Sequence, residues 1–599
     1  MKDGAATVAL DSGPGHSRAD WEHMAAGVLR KSGRLTETDP DDLVWAKLTR
    51  TTLDGLPITP LGTPELLADV QTSGRPERIG EWDVRAYFAD PDATATAAEV
   101  QTDLDNGVTS VWLEVGEAGI AVGSIAAALD GVLLDVAPVV LDASDPVAAA
   151  AAFAAVAAGT ELADGTNLGA DPLGALARGR EIHGVVEEIV TTVADAASEL
   201  GALALVVDAT AVHDLGASEV QELGWSMAVG AAYLRALVAA GYSVADAAAL
   251  IEFRYAATDE QFPTIAKLRA ARRLWARVLE LSGVEEGTDA GARRQRQHVV
   301  TSRPMMSKYD PWVNMLRTCV AAFSAGVGGA DSVTVLPFDT HLGLPDPFSR
   351  RIARNTSALL IHESHLARVT DPAGGAFAVE KLTDDLAVAG WSELGLIEAS
   401  GGARAALDDG SVQARIEKVA ADRERQVSLR KRPLTGISEF PNLGETLPER
   451  RPYPAGALTK WAGVRSYGQA FEALRDAPSG TVFLATMGTV AAHTARATFA
   501  SNLFAAGGIG SVNPGRADDV AAVLAAYAGP DGGQPVVCLT GNDKAYAEWG
   551  ADLVAGLRAA GARWVILAGK APEGVVVDDS CAMGVDALDF LTRTREKLA

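Results

Sequence analysis

A chain of 599 residues in which 48% of the side chains are hydrophobic is too long for one compact domain and carries enough apolar material for several cores. Its 78 acidic residues outnumber the 52 basic ones, and a net charge of −26 repels phosphate backbones and anionic lipid surfaces, so neither nucleic acid nor membrane is an expected partner. The cysteines, Cys319, Cys538 and Cys581, form no CxxC pair and no metal-ligand spacing, which fits a reducing cytoplasm.

The first residues, MKDGAATVALDSGPGHS, show neither a basic flank before an apolar run nor an Arg-rich presequence. From Ser17 to Lys31 a plausible N-cap is followed by Trp21, Met24, Ala25 and Leu29 at helical spacing, which predicts an amphipathic arm in need of a surface. From about residue 80 to 385 short apolar runs alternate with long helical stretches. Strands are expected at Ser110–Val115, Gly131–Val136, Leu203–Val207, Leu250–Tyr255, His298–Thr301 and Ser332–Leu336, with a weaker one at Gly165–Leu168. The alanine-rich run from Val147 to Ala158 is far shorter than the roughly 20 residues of a membrane span and reads as a buried helix. In Ile265–Leu281 the residues Ile265, Leu268, Ala271, Trp275, Val278 and Leu279 share a face, with Lys267, Arg273 and Arg277 pointing elsewhere. This alternation predicts right-handed βαβ crossovers and a (β/α)8 barrel.

Residues 431–455 interrupt the rhythm with prolines and charges and read as a linker. A second alternation follows, with strands at Val482–Thr486, Gly510–Val512, Val536–Thr540 and Trp564–Ala568 and helices between, as in a flavodoxin-like doubly wound domain. The expected organisation is therefore an N-terminal helical arm (1–45), a barrel (46–390), a helical and Pro-rich linker (391–475) and a flavodoxin-like domain (476–599).

Chemistry-bearing groups are sparse. His362 and His365 lack the H-E-x-x-H spacing and a third ligand. Gly507, Gly508 and Gly510 precede a strand and read as a turn rather than a dinucleotide loop. Arg293, Arg294 and Arg296 suit a solvated patch better than a phosphate site, and Tyr255, Tyr309 and Asp310 are singled out only by lying near the C-terminal ends of expected strands. No nucleophile elbow or phosphate loop is present.

The segment Ser307–Thr383 (SKYDPWVNMLRT…DPAGGAFAVEKLT), with Thr52–Thr63, Gly216–Trp225 and Ile265–Val278, resembles the methylmalonyl-CoA mutases, and the likeness runs in order along most of the chain. It implies a barrel that binds acyl-CoA along its axis, followed by a cobalamin domain. Departures from the family pattern imply a subtype. Where active mutases carry a D-x-H-x-x-G loop, whose histidine coordinates cobalt and whose aspartate orients that imidazole, this chain has Val490, Ala492 and Ala495, with His493 one step out of place. Ala211 stands for the family's thioester-binding histidine, with His213 two residues later, and Gly169 for a polar glutamine; Tyr87, in the triplet Arg85–Tyr87, matches a tyrosine set against the substrate. The resemblance thus implies a non-catalytic small subunit with no cofactor or metal of its own. Adenosylcobalamin and acyl-CoA would be held by a large catalytic subunit of a heterodimer, and the arm and linker are the expected docking elements. Two other readings follow from the same residues: an active cobalamin mutase using His493 as an unusual ligand, or an acyl-CoA-binding regulatory module.

Overall fold

The computed structural model describes residues 15–70, 72–285 and 293–599. Ser17 caps the helix Arg18–Lys31 in a reciprocal capping box with Asp20. Ala26 and Leu29 of this helix pack with Leu35 and Val44 into a small core separate from that of the barrel. Trp21 stacks on Trp45, while Met24 and Val28 face outward, 71% and 66% exposed. The expected stripe is therefore rotated, with Met24 outside it.

A two-stranded antiparallel ladder, β1 (Arg50–Thr51) with β2 (Pro57–Ile58), leads into the barrel. Its strands are β3 (Asp83–Phe88), β4 (Ser110–Val115), β5 (Val139–Ala143), β6 (Asn167–Ala170), β7 (Leu203–Asp208), β8 (Ile251–Ala257), β9 (Arg296–Thr301) and β10 (Ser332–Thr334). All neighbours are parallel, and β10 pairs with both β9 and β3 to close the ring. Helix starts follow from their caps: Asp92 and Asp145 accept bonds from first-turn amides, and Pro146 occupies the first turn of Pro146–Ala157. The apolar face of each outer helix buries against the sheet in one continuous core.

The second sheet runs β11 (Ser479–Thr486), β12 (Ile509–Val512), β13 (Val536–Thr540), β14 (Trp564–Ala568) and β15 (Asp579–Cys581) in sequence. Its spatial order, β12-β11-β13-β14-β15, is parallel throughout and is the 2-1-3-4-5 order of flavodoxin-like sheets. Alternation along the strands divides the core. Val482, Leu484, Cys538 and Ile566 face one helix layer, and Phe483, Ala485, Val537, Leu539 and Val565 face the other.

Several expectations need correction. Gly131–Val136 is not a strand; Leu133 and Val136 are 65% and 68% exposed in turns, and the strand begins after Pro138. Lys267, expected off the apolar face, is nonetheless buried. The helix Gln261–Leu281 is covered on two sides, so Lys267 is buried on Glu222. The boundaries expected at 45 and 390 fall inside continuous helices, Leu43–Leu48 and Phe377–Ala399, the latter packed against the barrel helix Glu219–Ala239.

Candidate functional site

Barrel enzymes place their chemistry where the axis opens at the C-terminal ends of the strands. Period-two alternation aims one residue in two of each strand at that axis, and here several of these positions are charged or aromatic. Near the N-terminal end Arg85 donates to Ser110 Oγ at 3.0 Å and to Glu252 Oε2 at 2.9 Å. At mid-height the Arg254 guanidinium lies 4.1 Å over the Trp112 ring. It donates to His298 Nδ1 at 3.2 Å and reaches Asp142 and Asp208, each at 3.3 Å. His298 accepts at Nδ1, so its proton sits on Nε2, 2.8 Å from Thr334 Oγ1. Burial, with Arg85 and Arg254 beside it, pushes His298 well below the usual imidazole range, so it is neutral.

At the mouth Tyr87 donates to Glu114 Oε2 at 2.9 Å. Lys460, from the helix Ala455–Lys460, reaches in to Glu114 at 2.6 Å and Asp142 at 2.8 Å. Burial alone would raise Asp142, but Lys460 and Arg254 more than offset it and hold its carboxyl well below the ordinary range. Glu114 goes the other way: burial and the Asp142 charge raise it against Lys460. Above them Trp461 lies between Arg303, 3.8 Å from its ring centre, and Arg178 at 5.1 Å; Arg178 in turn pairs with Asp214 at 2.7 Å. The space beside Tyr87 and Arg303 has a volume of about 20 Å³, room for about one water, where small-molecule pockets run to roughly 300–1,000 Å³.

The other expected positions lie around this axis without opening it. Ala211 is fully buried in the short helix Thr210–His213. His213 is fixed between Ser302 Oγ at 2.7 Å and Glu222 at 3.5 Å. Gly169 sits in an irregularity of β6 at φ +73, where a Cβ would lie 1.8 Å from the Leu141 carbonyl oxygen. The conformation and the close approach together demand glycine.

In the second domain the loop after β11 leads into the helix Val490–Ala506. Val490 is 61% exposed at its start, Ala492 half-buried and Ala495 exposed, and none carries a lone pair for a metal. His493 faces inward with Ala497 and Ala500 at 4% exposure, its Nδ1 buried without a protein partner. Among the described residues no cluster of three His, Cys, Asp or Glu side chains is placed to hold a metal ion, and no helix is long and apolar enough to cross a membrane.

Other residues named from the sequence are structural. Tyr255 faces the outer helices, hydrogen-bonded to Ser226 and Gln295. Tyr309 donates to Asp476 and lies under Arg475, while Asp310 starts a helix at φ +46. Arg293 donates to the Val284 carbonyl, Arg294 pairs with Asp331, and Arg296 with Asp164. His362 stands 3.7 Å from Glu81, and Gly508 turns into β12 at φ +69. Glu114, Asp142, Arg254, His298 and Lys460 escaped the sequence reading. For the strand residues the signal is a charged or polar side chain inside an otherwise apolar run, as Glu114 in SVWLEV and Glu252 and Arg254 in IEFRYAA, because a buried charge must be paired; Lys460, on a helix, carries no such signal.

Comparison with known proteins agrees with this architecture. A family model described as methylmalonyl-CoA mutase matches residues 82–497. Methylmalonyl-CoA mutase small subunit of Streptomyces virginiae is 46% identical, over 98% of this chain and 97% of its own length. A probable methylmalonyl-CoA mutase small subunit of Mycobacterium tuberculosis (strain H37Rv) is 42% identical over 94% of this chain and 93% of its own. The small subunit from Propionibacterium freudenreichii subsp. shermanii is 35% identical over 98% and 95%. With a closed parallel barrel joined to a flavodoxin-like sheet, and with relatives matched over nearly their whole lengths, the chain belongs to the methylmalonyl-CoA mutase family.

Proposed function

We propose that the chain is the non-catalytic small subunit of a cytoplasmic, heterodimeric methylmalonyl-CoA mutase. Its large subunit binds adenosylcobalamin and acyl-CoA and interconverts succinyl-CoA and methylmalonyl-CoA by radical carbon-skeleton rearrangement. The observation that carries this reading is the filled axis. Arg85, Trp112, Arg254, His298 and Lys460 occupy the line along which an acyl-CoA would pass, each paired to a buried neighbour. In such enzymes the cofactor supplies the radical and the protein supplies binding, orientation and electrostatics. The residues here do not fit that cofactor: Val490, Ala492 and Ala495 offer no ligand and His493 is turned under its helix. Ala211 has no donor for a thioester oxygen, and Tyr87, the residue that matches the family, is committed to Glu114. The names of the relatives support the same role.

The purified chain alone is expected to leave the absorption spectrum of adenosylcobalamin unchanged, to give no heat with CoA esters in a calorimeter, and to show no turnover. Adding the large subunit restores turnover. Mutase activity from this chain alone overturns the proposal, as does loss of a measurable corrinoid interaction on His493→Ala.

A further inference from the structure

The carboxylates of Glu114 and Asp142 face each other across neighbouring parallel strands, as direct register partners of β4 and β5. Two like charges so placed in a buried mouth repel, and the pair is stable only if one member keeps a proton or a cation lies between them. Arg254 reaches Asp142 Oδ2 from below, but Glu114 receives no strand-borne cation; Tyr87 donates to its Oε2, and its Oε1 is buried without a protein partner. The missing charge comes from far along the chain. Lys460 ends the helix Ala455–Lys460, its side chain is 2% exposed, and its ammonium bridges the two carboxylates at 2.6 and 2.8 Å.

The segment carrying Lys460 is fastened on both sides. Ahead of it, Gly456 lies so close to Glu117 that a Cβ would come within 2.3 Å of the Glu117 carbonyl. Behind it, Trp461 fills the gap between Arg303 and Arg178, the Arg465 amide donates to the Asp214 carbonyl at 2.8 Å, and the Tyr467 amide donates to the Pro304 carbonyl at 2.8 Å.

We propose that Glu114 and Asp142 form a binding site for a primary alkylammonium group, occupied in cis by Lys460, and that residues 455–467 are a strap this internal ligand holds across the barrel mouth. The geometry is that of a receptor and its ligand: two converging acceptors, a tyrosine that fixes one of them, and a four-carbon stem sealed from water. The strap follows the Pro-rich linker and leads through the helix Gln469–Asp476 into the second domain, so occupancy of the site fixes where that domain's approach begins.

The test is chemical rescue in the full-length chain. Lys460→Ala leaves the carboxylates and a channel the width of the lost stem, and it is expected to lower the melting temperature by several degrees. n-Propylammonium chloride, whose three carbons replace the methylenes lost beyond Cβ, should then raise the melting temperature of Lys460→Ala saturably, with no comparable effect on the wild type or on Lys460→Ala/Glu114→Gln. Tetramethylammonium, which carries the charge but has no N–H to donate, should not substitute. Equal shifts in all variants, or none, overturn the proposal. Should Lys460→Ala not fold, Lys460→Met keeps the stem and removes only the charge. Hydrogen exchange of amides 455–467 is then expected to quicken by about tenfold or more while β13 and β14 stay protected, and unchanged strap protection overturns the proposal. These readouts involve neither corrinoid nor turnover, so they stand or fall apart from the non-catalytic role.

Discussion

Gly169 shows how a single residue constrains the barrel. Its φ of +73 and the Leu141 carbonyl oxygen 1.8 Å from its missing Cβ leave no place for a side chain. Any residue there meets the left-handed penalty of roughly 1–2 kcal/mol and must also displace a strand carbonyl. Gly169→Gln is therefore expected to destabilise the chain by more than about 2 kcal/mol in urea unfolding. Asp54 is the opposite case, a side chain tolerated at a cost. It receives the Ser218 hydroxyl at the start of the helix Glu219–Ala239, yet burial, then the nearby Glu219, push its carboxyl up from 3.8 to about 6. A folded-state value above the unfolded one favours folding while the group is protonated, so this contribution is complete below pH 4 and is lost as pH rises through 6. A shift of about two units corresponds to roughly 3 kcal/mol at most. Asp54→Asn, which still accepts from Ser218, should gain about 1–2 kcal/mol over the wild type at pH 8 and nothing at pH 4, read from denaturant unfolding at both values.

At the scale of elements, the sequence was most legible where strands are mainly apolar and bounded by turns. Ser110–Val115, Val536–Thr540 and Trp564–Ala568 form over the residues their patterns indicate. The stretch from Gly131 to Asp142 is apolar almost throughout, so pattern alone left two places for one strand, and only the stop imposed by Pro138 selects the second. β3 was hidden for another reason: Asp83 and Arg85 put charge on the axis-facing positions and interrupted the apolar run by which the other strands stand out. β15 is three residues long and mostly polar. The candidate site was less legible than the fold, because motif reading looks for family residues where they should be, whereas Lys460 completes the mouth from a helix more than three hundred residues after Glu114. The buried cations of the helix Gln261–Leu281 are similar long-range features. Arg269 is fully buried between Asp371 and Glu380 and ties this helix to Phe377–Ala399. Arg269→Met should cost about 3–5 kcal/mol by leaving two carboxylates without their cation, measured as a lowered midpoint of chemical denaturation.

At the scale of the molecule, the barrel and the second sheet have separate cores, joined by a linker anchored both by Ile437 and Leu434 in the second domain's core and by polar contacts. Arg475 is central to it. Its guanidinium donates to the carbonyls of Gly436 and Asn442, pairs with Glu445 and stacks 3.9 Å from the Tyr309 ring, so one side chain gathers the linker, the barrel and the start of the second domain. Arg475→Ala is expected to make residues 431–455 a preferred site of limited proteolysis while both domains stay resistant, seen as two stable fragments on a gel. The charged axis carries a consequence of a different kind. Each of its ions is held by a neighbour that would be stranded if it changed alone, so substitutions there are tolerable only in matched sets. In sister chains that share this packing, the residues at 114, 142, 254 and 460 should therefore vary as a coupled group, and a lysine lost from the strap should be accompanied by a neutralised partner on the strands.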